Sequence, residues 1–239
     1  MIVIVGCGGT GSNLAPMLSR MLIRHKILLI DGDRVESRNV ERQTFQEFDV
    51  GSNKARALAK KLNSNFKNEH YFYDKYIENS IELKKEILKV YKHNHSFERS
   101  VYDVNSETIF NNEHNEYVML IGCVDNNATR RILEETYINL IDKCYYIDAG
   151  NESDYGTVLV SDAKSKEQDR NLRSELFGLS NDDHPTLNCH RRILAGDEQQ
   201  YQINLEMALA IAKVVFAIKN EKEYPHAITV NGFDRHSTY

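Results

Sequence analysis

Short apolar runs alternate with amphipathic stretches over the first 150 residues of the chain. The apolar runs have the length and β-branched character of buried parallel strands, and they lie at 1–5, 26–30, 117–121 and 145–148. A less regular run at 69–77 predicts one further strand. Helical spacing of apolar residues follows these runs, at 12–24, 52–63, 81–91 and 128–140. This alternation predicts an α/β fold with a Rossmann-like open, mostly parallel sheet and helices on both faces.

A different pattern begins after Gly150. It predicts, in this order, a strand at 156–160, a polar stretch at 161–200, a long helix at 197–220 and a strand at 226–230. The middle of that helix, 205–218, is apolar nearly all the way round, which predicts burial in a core or in a subunit interface. We therefore interpret 151–239 as the C-terminal half of the same domain, an extension with strands and a long apolar helix.

The first predicted strand leads into a glycine-rich turn. The turn fits G-x-G-x-x-G, with its glycines at Gly6, Gly8, Gly9 and Gly11. Such glycines let the backbone approach a phosphate, and the helix that follows offers free N–H groups at its N-terminus. Asp31 ends the second strand, where an acidic side chain commonly binds ribose hydroxyls. These features predict a nucleotide site in a core formed by residues 1–150, with a packing turn that binds no ligand as the alternative.

Three more polar clusters follow predicted strands or begin helices: the segment 31–43, Lys54, and Asp125 to Asn127. Open α/β sheets bind ligands at the carboxyl ends of their strands, so we expect these clusters to share a site with the glycine turn. Arginine and lysine neutralise charge on a leaving pyrophosphate, and a carboxylate holds the Mg²⁺ that bridges phosphate oxygens. The residue types therefore favour attack at a nucleotide's phosphate over redox chemistry at a ring.

The composition is that of an ordinary globular protein, with 41% hydrophobic and 27% charged residues. A net charge of −5 and a pI near 6.0 argue against a nucleic acid partner or an anionic membrane. We expect no membrane span, because the most apolar stretch contains Glu206 and Lys213. The four cysteines show no disulfide pattern and the chain opens on a core strand, not on a targeting peptide, so a cytoplasmic location is expected.

The chain resembles the ThiF/MoeB/HesA family, the adenylating relatives of the ubiquitin-activating enzymes. The resemblance covers roughly residues 1–150 and rests on GCGGTGS at 6–12, D-x-D-x-V-x-x-x-N-x-x-R-Q at 31–43, Gly51 with Lys54-Ala55, and Cys123-x-Asp125-Asn126 followed by Arg130. It implies ATP- and Mg²⁺-dependent adenylation of a carboxylate with release of pyrophosphate. The typical substrate is the C-terminal glycine of a ubiquitin-like or sulfur-carrier protein.

The resemblance also implies roles for individual residues. Asp31 would bind ribose, Asp33 belongs to the same motif, and Asp125 would hold Mg²⁺ near the α-phosphate. The implied triphosphate contacts are Asn39, Arg42, Gln43 and Lys54, with Asn126 also in the nucleotide site. Taken one by one, Arg42 and Lys54 could be solvated surface charges, Asp33 could only order its loop, and Asp125 and Asn126 could be helix caps.

Three departures from the family pattern are visible. The paired C-x-x-C motifs of a structural zinc site are missing from the sequence, so we expect no such zinc. The stretch 93–115 has no counterpart in the family and is interpreted as an insertion or surface excursion. The chain also begins at the first strand, whereas several family members carry a preceding helix that lends an arginine to the partner's site; neither Arg20 nor Arg24 can be assigned that role.

Cys189 is a further candidate catalytic residue. Several family members place a cysteine at about this point, before the C-terminal helix, and some of them use it to form a thioester with the activated carboxyl group. Its neighbours His190, Arg191 and Arg192 would favour the thiolate form. The alternatives are a buried packing cysteine or a tie to an accessory helix.

The resemblance implies a homodimer that packs through the C-terminal half. Three other functions stay open at this point. One is adenylation of a ribosomal peptide or another small carboxylate. The second is a non-catalytic scaffold with the same fold, and the third is an NAD-dependent oxidoreductase, which only the glycine turn and Asp31 support.

Overall fold

The computed structural model describes residues 1–23, 25–66, 69–94, 117–140, 143–151, 155–163, 170–179 and 201–231. The strands in these ranges are β1 Ile2–Val5, β2 Ile27–Ile30, β3 Tyr71–Tyr73, β4 Val118–Gly122, β5 Cys144–Asn151, β6 Tyr155–Ser161 and β7 Ala227–Asn231. The α-helices are α1 Gly9–Met21, α2 Ser37–Val40, α3 Lys54–Asn65, α4 Ser80–Asn94, α5 Asn127–Ile138, α6 Arg173–Phe177 and α7 Tyr201–Lys219, with a 3-10 turn at Glu47–Asp49.

The strands form one sheet in the order β3-β2-β1-β4-β5-β6-β7. The first five in this order run parallel, whereas β6 and β7 add to the edge as antiparallel strands. The chain moves outward from β1 to β3 and then returns to the other side of β1 to form β4. This reversal creates a topological switch point between β1 and β4, where open α/β sheets bind their ligands. The predicted fold class is confirmed.

Helices cover both faces of the sheet because the parallel strands are apolar on both sides. Ile2 and Ile4 of β1 pack into a cluster with residues of α1, α3 and α7. Val3 and Val5 point to the opposite face and pack with residues of α4 and α5. All four β1 residues are buried, so the strand that carries the glycine turn lies at the centre of the molecule.

Three local features differ from the sequence prediction. α1 begins at Gly9, earlier than the predicted residue 12, so the last glycines of the turn belong to the first turn of the helix. Pro16 lies inside this helix. β3 covers only Tyr71–Tyr73 of the predicted 69–77, and the short helix α2 within the polar segment 31–43 was not predicted.

The long apolar helix α7 is buried on one side only. Its buried positions pack against α1 and the sheet, whereas Leu209 and Phe216 are 47% and 40% exposed. By length and composition alone, α7 is also the one helix in the described residues that could cross a membrane; a core helix passes the same test, and the expectation of no membrane span stays a prediction. Half of that window is buried inside the fold, as in the core helix of a globular domain.

Candidate functional site

An open cleft with a cavity volume of about 150 Å³ lies at the carboxyl ends of β1, β2 and β4, at the switch point of the sheet. Residues from all the predicted clusters line it, namely Gly6, Gly8, Gly9, Asp31, Asp33, Gln43, Lys54, Asp125 and Asn126. The fold therefore brings together predicted site residues that are up to 120 positions apart in the sequence, counted from Gly6 to Asn126.

The glycine turn is tightly packed on one side and open on the other. Gly6 has a φ of +92°, and a Cβ there would lie 2.3 Å from the carbonyl oxygen of Cys123. A Cβ at Gly11 would lie 1.9 Å from the carbonyl oxygen of Gly6, so Gly11 supports the turn from within α1 and does not line the cleft. At Gly8 the nearest atom to such a Cβ is 3.9 Å away. Gly8 therefore leaves room for a ligand beside the backbone.

Asp31 is held in place by the backbone of the turn. Its Oδ2 accepts a hydrogen bond from the N–H of Cys7 at 2.7 Å, and its Oδ1 accepts one from the N–H of Asp33 at 2.7 Å. Burial raises the pKa of this carboxyl to about 6, the attraction of Lys54 opposes the rise, and the charge of Asp33 adds to it. The carboxylate is thus fixed beside the glycine turn, as a ribose acceptor must be.

Lys54 lies at the start of α3 with its side chain only 10% exposed. Its Nζ is 3.0 Å from Oδ2 of Asp33, and the other oxygen of Asp33 accepts a hydrogen bond from the hydroxyl of Tyr76. Burial would raise the pKa of Asp33, but Lys54 and the hydroxyl of Tyr76 outweigh it and lower that pKa. An ammonium group is therefore held, paired with an exposed carboxylate, at the wall of the cleft.

Asp125 and Asn126 lie between β4 and α5. Asp125 is exposed and lines the cleft, whereas Asn126 is 5% exposed. The Oδ1 of Asn126 accepts a hydrogen bond from the N–H of Thr129 at 2.8 Å, so this residue caps α5. The carboxylate of Asp125 is thus presented at the N-terminus of a helix that faces the cleft.

The remaining candidates from the sequence do not line the cleft. Asn39 is buried and its Oδ1 accepts a hydrogen bond from the N–H of Glu36 at 2.9 Å, within α2. Arg42 is partly exposed, just after α2. Their proposed contacts with a triphosphate stay predictions. Cys189 lies outside the described residues, as does most of the predicted insertion at 93–115.

Several residues in the cleft were missed by the sequence reasoning. Lys75, Tyr76 and Ile77 follow β3, and their position was predictable because β3 ends at the same edge of the sheet as β2. Thr10, which lies within the glycine-turn motif, and Asn151 also line the cleft. No sequence motif indicated Asn151, because its position depends on how β5 packs.

Asn204 supports the glycine turn from α7 and was also missed. It is 2% exposed, and its Oδ1 accepts hydrogen bonds from Asn151 Nδ2 at 2.8 Å and from the hydroxyl of Thr10 at 3.5 Å. A Cβ at Gly9 would lie 2.4 Å from the amide nitrogen of Asn204. The C-terminal helix therefore contacts the backbone of the turn directly, and the absence of a side chain at Gly9 makes this contact possible.

The residues of the cleft fit an adenine nucleotide with Mg²⁺. The Oε1 atom of Gln43 is buried and has no hydrogen-bond partner among the described residues, and Gly8 leaves space beside it. No group of three or more His, Cys, Asp and Glu side chains in the described ranges could hold a metal ion by itself. Mg²⁺ typically needs only one or two carboxylates when phosphate oxygens complete its shell, so Asp125 suffices as the protein ligand.

Comparison with protein families gives a match to the model of the ThiF family over residues 1–221. Ubiquitin-like modifier-activating enzyme 5 of Rattus norvegicus is 44% identical over 63 residues, which are 26% of this chain and 15% of that protein. The enzyme of the same name from Aedes aegypti is 44% identical over 62 residues, again 26% of this chain and 15% of that protein.

Similar structures include crystal structures of PaaA, with a TM-score of 0.65 and 18% identity, and of E. coli MccB with ATP, with a TM-score of 0.61 and 17% identity. A complex of E. coli MccB with AMPCPP and MccA has a TM-score of 0.62 and 17% identity. Each alignment covers 99% of this chain and 62% of the other chain. The chain therefore spans about three fifths of these structures, and the likeness shows a shared fold.

Proposed function

This chain belongs to the ThiF family, and from that premise we propose that it catalyses ATP-dependent adenylation of a carboxylate with release of pyrophosphate. The observation that carries the proposal is the shared cleft, where the nearly buried ammonium of Lys54 lies with the glycine turn, Asp31 and Asp125. A cleft for hydride transfer needs the turn and Asp31 only. Lys54 and Asp125 are the groups that a reaction at phosphate requires.

The geometry gives each group a task in this reaction. The substrate carboxylate attacks the α-phosphorus, and the bond from that phosphorus to the β-bridging oxygen breaks. No proton moves, because the carboxylate is already ionised at pH 7. Asp31 orients the ribose, and the N–H groups of the glycine turn and Lys54 neutralise charge on the departing pyrophosphate. Asp125 would hold Mg²⁺, which would supply positive charge that stabilises the phosphates.

We propose the C-terminal carboxylate of a ubiquitin-like or sulfur-carrier protein as the substrate. The support is the 44% identity to ubiquitin-like modifier-activating enzyme 5 over 63 residues. A peptide carboxylate is the second candidate, because the fold matches MccB in its complex with MccA over 99% of this chain. A protein carrier is preferred because its support is sequence identity, whereas that of the peptide is a likeness of fold.

ATP–pyrophosphate exchange is the experiment that tests this function. The purified protein should catalyse exchange with a carrier protein that ends in Gly-Gly or with a candidate peptide. Lys54→Ala and Asp125→Ala should each lower the exchange rate by about 100-fold or more, since each removes a charge that stabilises the transition state. Lys60→Ala removes an exposed lysine from the same helix, α3, and should leave the rate unchanged.

Two results would contradict the proposal. Absence of exchange with every carrier and peptide, together with tight NAD binding, would favour an oxidoreductase. Absence of both exchange and nucleotide binding would favour a non-catalytic scaffold. Full activity of Asp125→Ala would show that this carboxylate does not hold Mg²⁺.

We further propose that the Cys189 thiolate attacks the carbonyl carbon of the carboxyl adenylate, so that a thioester forms, the bond from that carbon to the phosphate oxygen breaks and AMP is released. Burial raises the pKa of the Cys123 and Cys144 thiols to about 12 and that of Cys7 well above its usual value, so these three are poor nucleophiles at neutral pH. Cys189→Ala should abolish a reducible adduct with the carrier and leave exchange intact, as electrophoresis with and without a thiol will show. An unmutated protein that forms no adduct under exchange conditions would assign Cys189 a structural role.

A further inference from the structure

A buried carboxylate below the cleft holds two arginines. Asp148 of β5 is 0% exposed, and its Oδ1 accepts a hydrogen bond from Nε of Arg130 at 3.2 Å. Its Oδ2 accepts one from Nε of Arg173, and the hydroxyl of Tyr146 lies 3.3 Å from Oδ1. These contacts join β5 to α5 and α6, at the end of the sheet that carries the cleft.

Arg130 also donates hydrogen bonds on both sides of Asp125. One terminal nitrogen donates to the carbonyl oxygens of Val124 at 2.6 Å and of Ala149 at 3.4 Å, and the other donates to Oδ1 of Asn127 at 3.2 Å. Arg130 is itself only 8% exposed. The guanidinium therefore fixes the residues immediately before and two positions after Asp125. Its own position depends in turn on Asp148.

Arg173 makes the matching contacts on the other side of the carboxylate. It donates to the carbonyl oxygen and the hydroxyl of Thr157 on β6, at 3.2 Å and 3.0 Å. It also fills the space above Gly150, where a Cβ would lie 2.8 Å from the guanidinium carbon. Arg173 thus attaches α6 to the sheet. Within the described residues its hydrogen bonds go to Asp148 and Thr157, and none goes to the segment 124–127 that surrounds Asp125.

A single buried carboxylate, Asp148, is paired with both guanidinium groups. Glu134 is 4% exposed, and its Oε1 accepts a hydrogen bond from the N–H of Ser174 at 3.1 Å, in the first turn of α6. Apolar residues of similar volume often stabilise a core as well as a buried ion pair does. A guanidinium group anchored by a carboxylate gives each of its hydrogen bonds a fixed direction, which apolar packing does not provide.

We infer that Asp148 is a positioning residue, which orients Arg130 so that the 124–127 segment presents Asp125 to the nucleotide. Its effect on Mg²⁺ rests on the proposed function, whereas its effect on the order of the segment does not. Groups that orient a metal ligand typically change metal affinity by about 10-fold to 100-fold when they are removed.

The test compares Asp148→Asn with Arg173→Met and with the double variant. Asp148→Asn leaves two buried arginines facing an amide, and the double variant removes one of them so that the protein keeps a foldable core. Hydrogen–deuterium exchange of the free protein should be about tenfold faster at the amides of residues 123–130 in Asp148→Asn and in the double variant. Arg173→Met, which keeps the Asp148–Arg130 pair, should exchange there at the wild-type rate.

A second readout follows the nucleotide. In ATP–pyrophosphate exchange, the Mg²⁺ concentration for half-maximal rate should rise about tenfold in the variants that lack Asp148. Binding of ATP in the presence of EDTA should stay within about twofold of the wild type, because the glycine turn and Asp31 are unchanged. Loss of a residue that acts on stability alone would not raise the Mg²⁺ requirement while leaving ATP affinity in EDTA unchanged.

The outcomes distinguish this inference from the proposed function. If the wild type shows no ATP–pyrophosphate exchange but the amides of residues 123–130 exchange hydrogen faster in the variants that lack Asp148, the proposed function fails and the positioning role stands. If the wild type is active and the variants lacking Asp148 keep wild-type amide exchange and Mg²⁺ dependence, the inference is wrong. Failure of both of those variants to fold would show that Asp148 serves stability and would also overturn it.

Discussion

Folding and ribose binding favour different protonation states of the Asp31 carboxyl group. Its carboxyl is fixed by two backbone N–H groups, yet burial raises its pKa to about 6. The folded protein therefore binds a proton more tightly than the unfolded chain between about pH 4 and pH 6. Within this window the Asp31 carboxyl lowers stability as pH rises. A bound ribose would donate hydrogen bonds to the ionised form and offset this cost.

We predict that the ribose contribution to ATP affinity is lost below pH 6. At pH 5 only about one tenth of the Asp31 side chains are ionised, so the advantage of ATP over 2′,3′-dideoxy-ATP should fall by up to about tenfold between pH 7.5 and pH 5. Both nucleotides carry the same phosphates, so their affinity ratio, measured by titration calorimetry, isolates Asp31. Asp31→Asn should give a ratio that does not change with pH, and a ratio in the wild type that stays constant would contradict the assignment.

At the scale of elements, the contact between α7 and the glycine turn links the end of the chain to its beginning. Asn204 is a buried polar residue in an apolar helix, and it accepts hydrogen bonds from Asn151 and Thr10. Burial of an amide costs free energy unless its partners are in place, so its position specifies how α7 lies on α1. The helix pattern in the sequence predicted α7 but gave no sign of this contact.

A double-mutant cycle will test the contact. Gly9→Ala places a methyl group about 2.4 Å from the Asn204 amide and should cost about 1–3 kcal/mol of unfolding free energy. In the Asn204→Ala background the same change should cost much less, because the space is then open. Urea unfolding of the four proteins measures the coupling, and strictly additive costs would show that the two residues do not meet.

At the scale of the whole molecule, one face of α7 exposes large apolar side chains. The exposed fractions are 46% for Tyr201, 47% for Leu209 and 40% for Phe216. The opposite side of the same helix is buried. Such a face favours the homodimer expected from the sequence. The dimer stays a prediction.

Light scattering after gel filtration will test it. Leu209→Glu with Phe216→Glu should halve the mass of the particle, because two buried charges would oppose association. Ile81→Glu changes a 79% exposed side chain on α4 and should leave the mass of the particle as it is in the wild type. A wild-type protein with the mass of one chain would rule out the dimer.

The sequence alone determined the fold class, the order of the main elements and most of the cleft. Periodicity is a local property, so the apolar runs of β1, β2 and β4 and the glycine turn could be read directly. The carboxyl ends of parallel strands share one edge of a sheet, so Asp31 and Asp125 could be predicted to meet there. The proposal that the nucleotide is ATP comes from motifs and not from periodicity.

Only the tertiary structure decided which polar groups support the site from other elements. Asn204 contacts it from α7 and Tyr76 from the segment after β3, and each is an unremarkable polar residue within its own stretch of sequence. Their roles depend on packing between elements that are distant in the chain, and such packing leaves no periodic signal. The helix pattern predicted α7 and its burial. It did not predict which side of α7 the core covers and which side stays exposed, because the helix is apolar nearly all the way round.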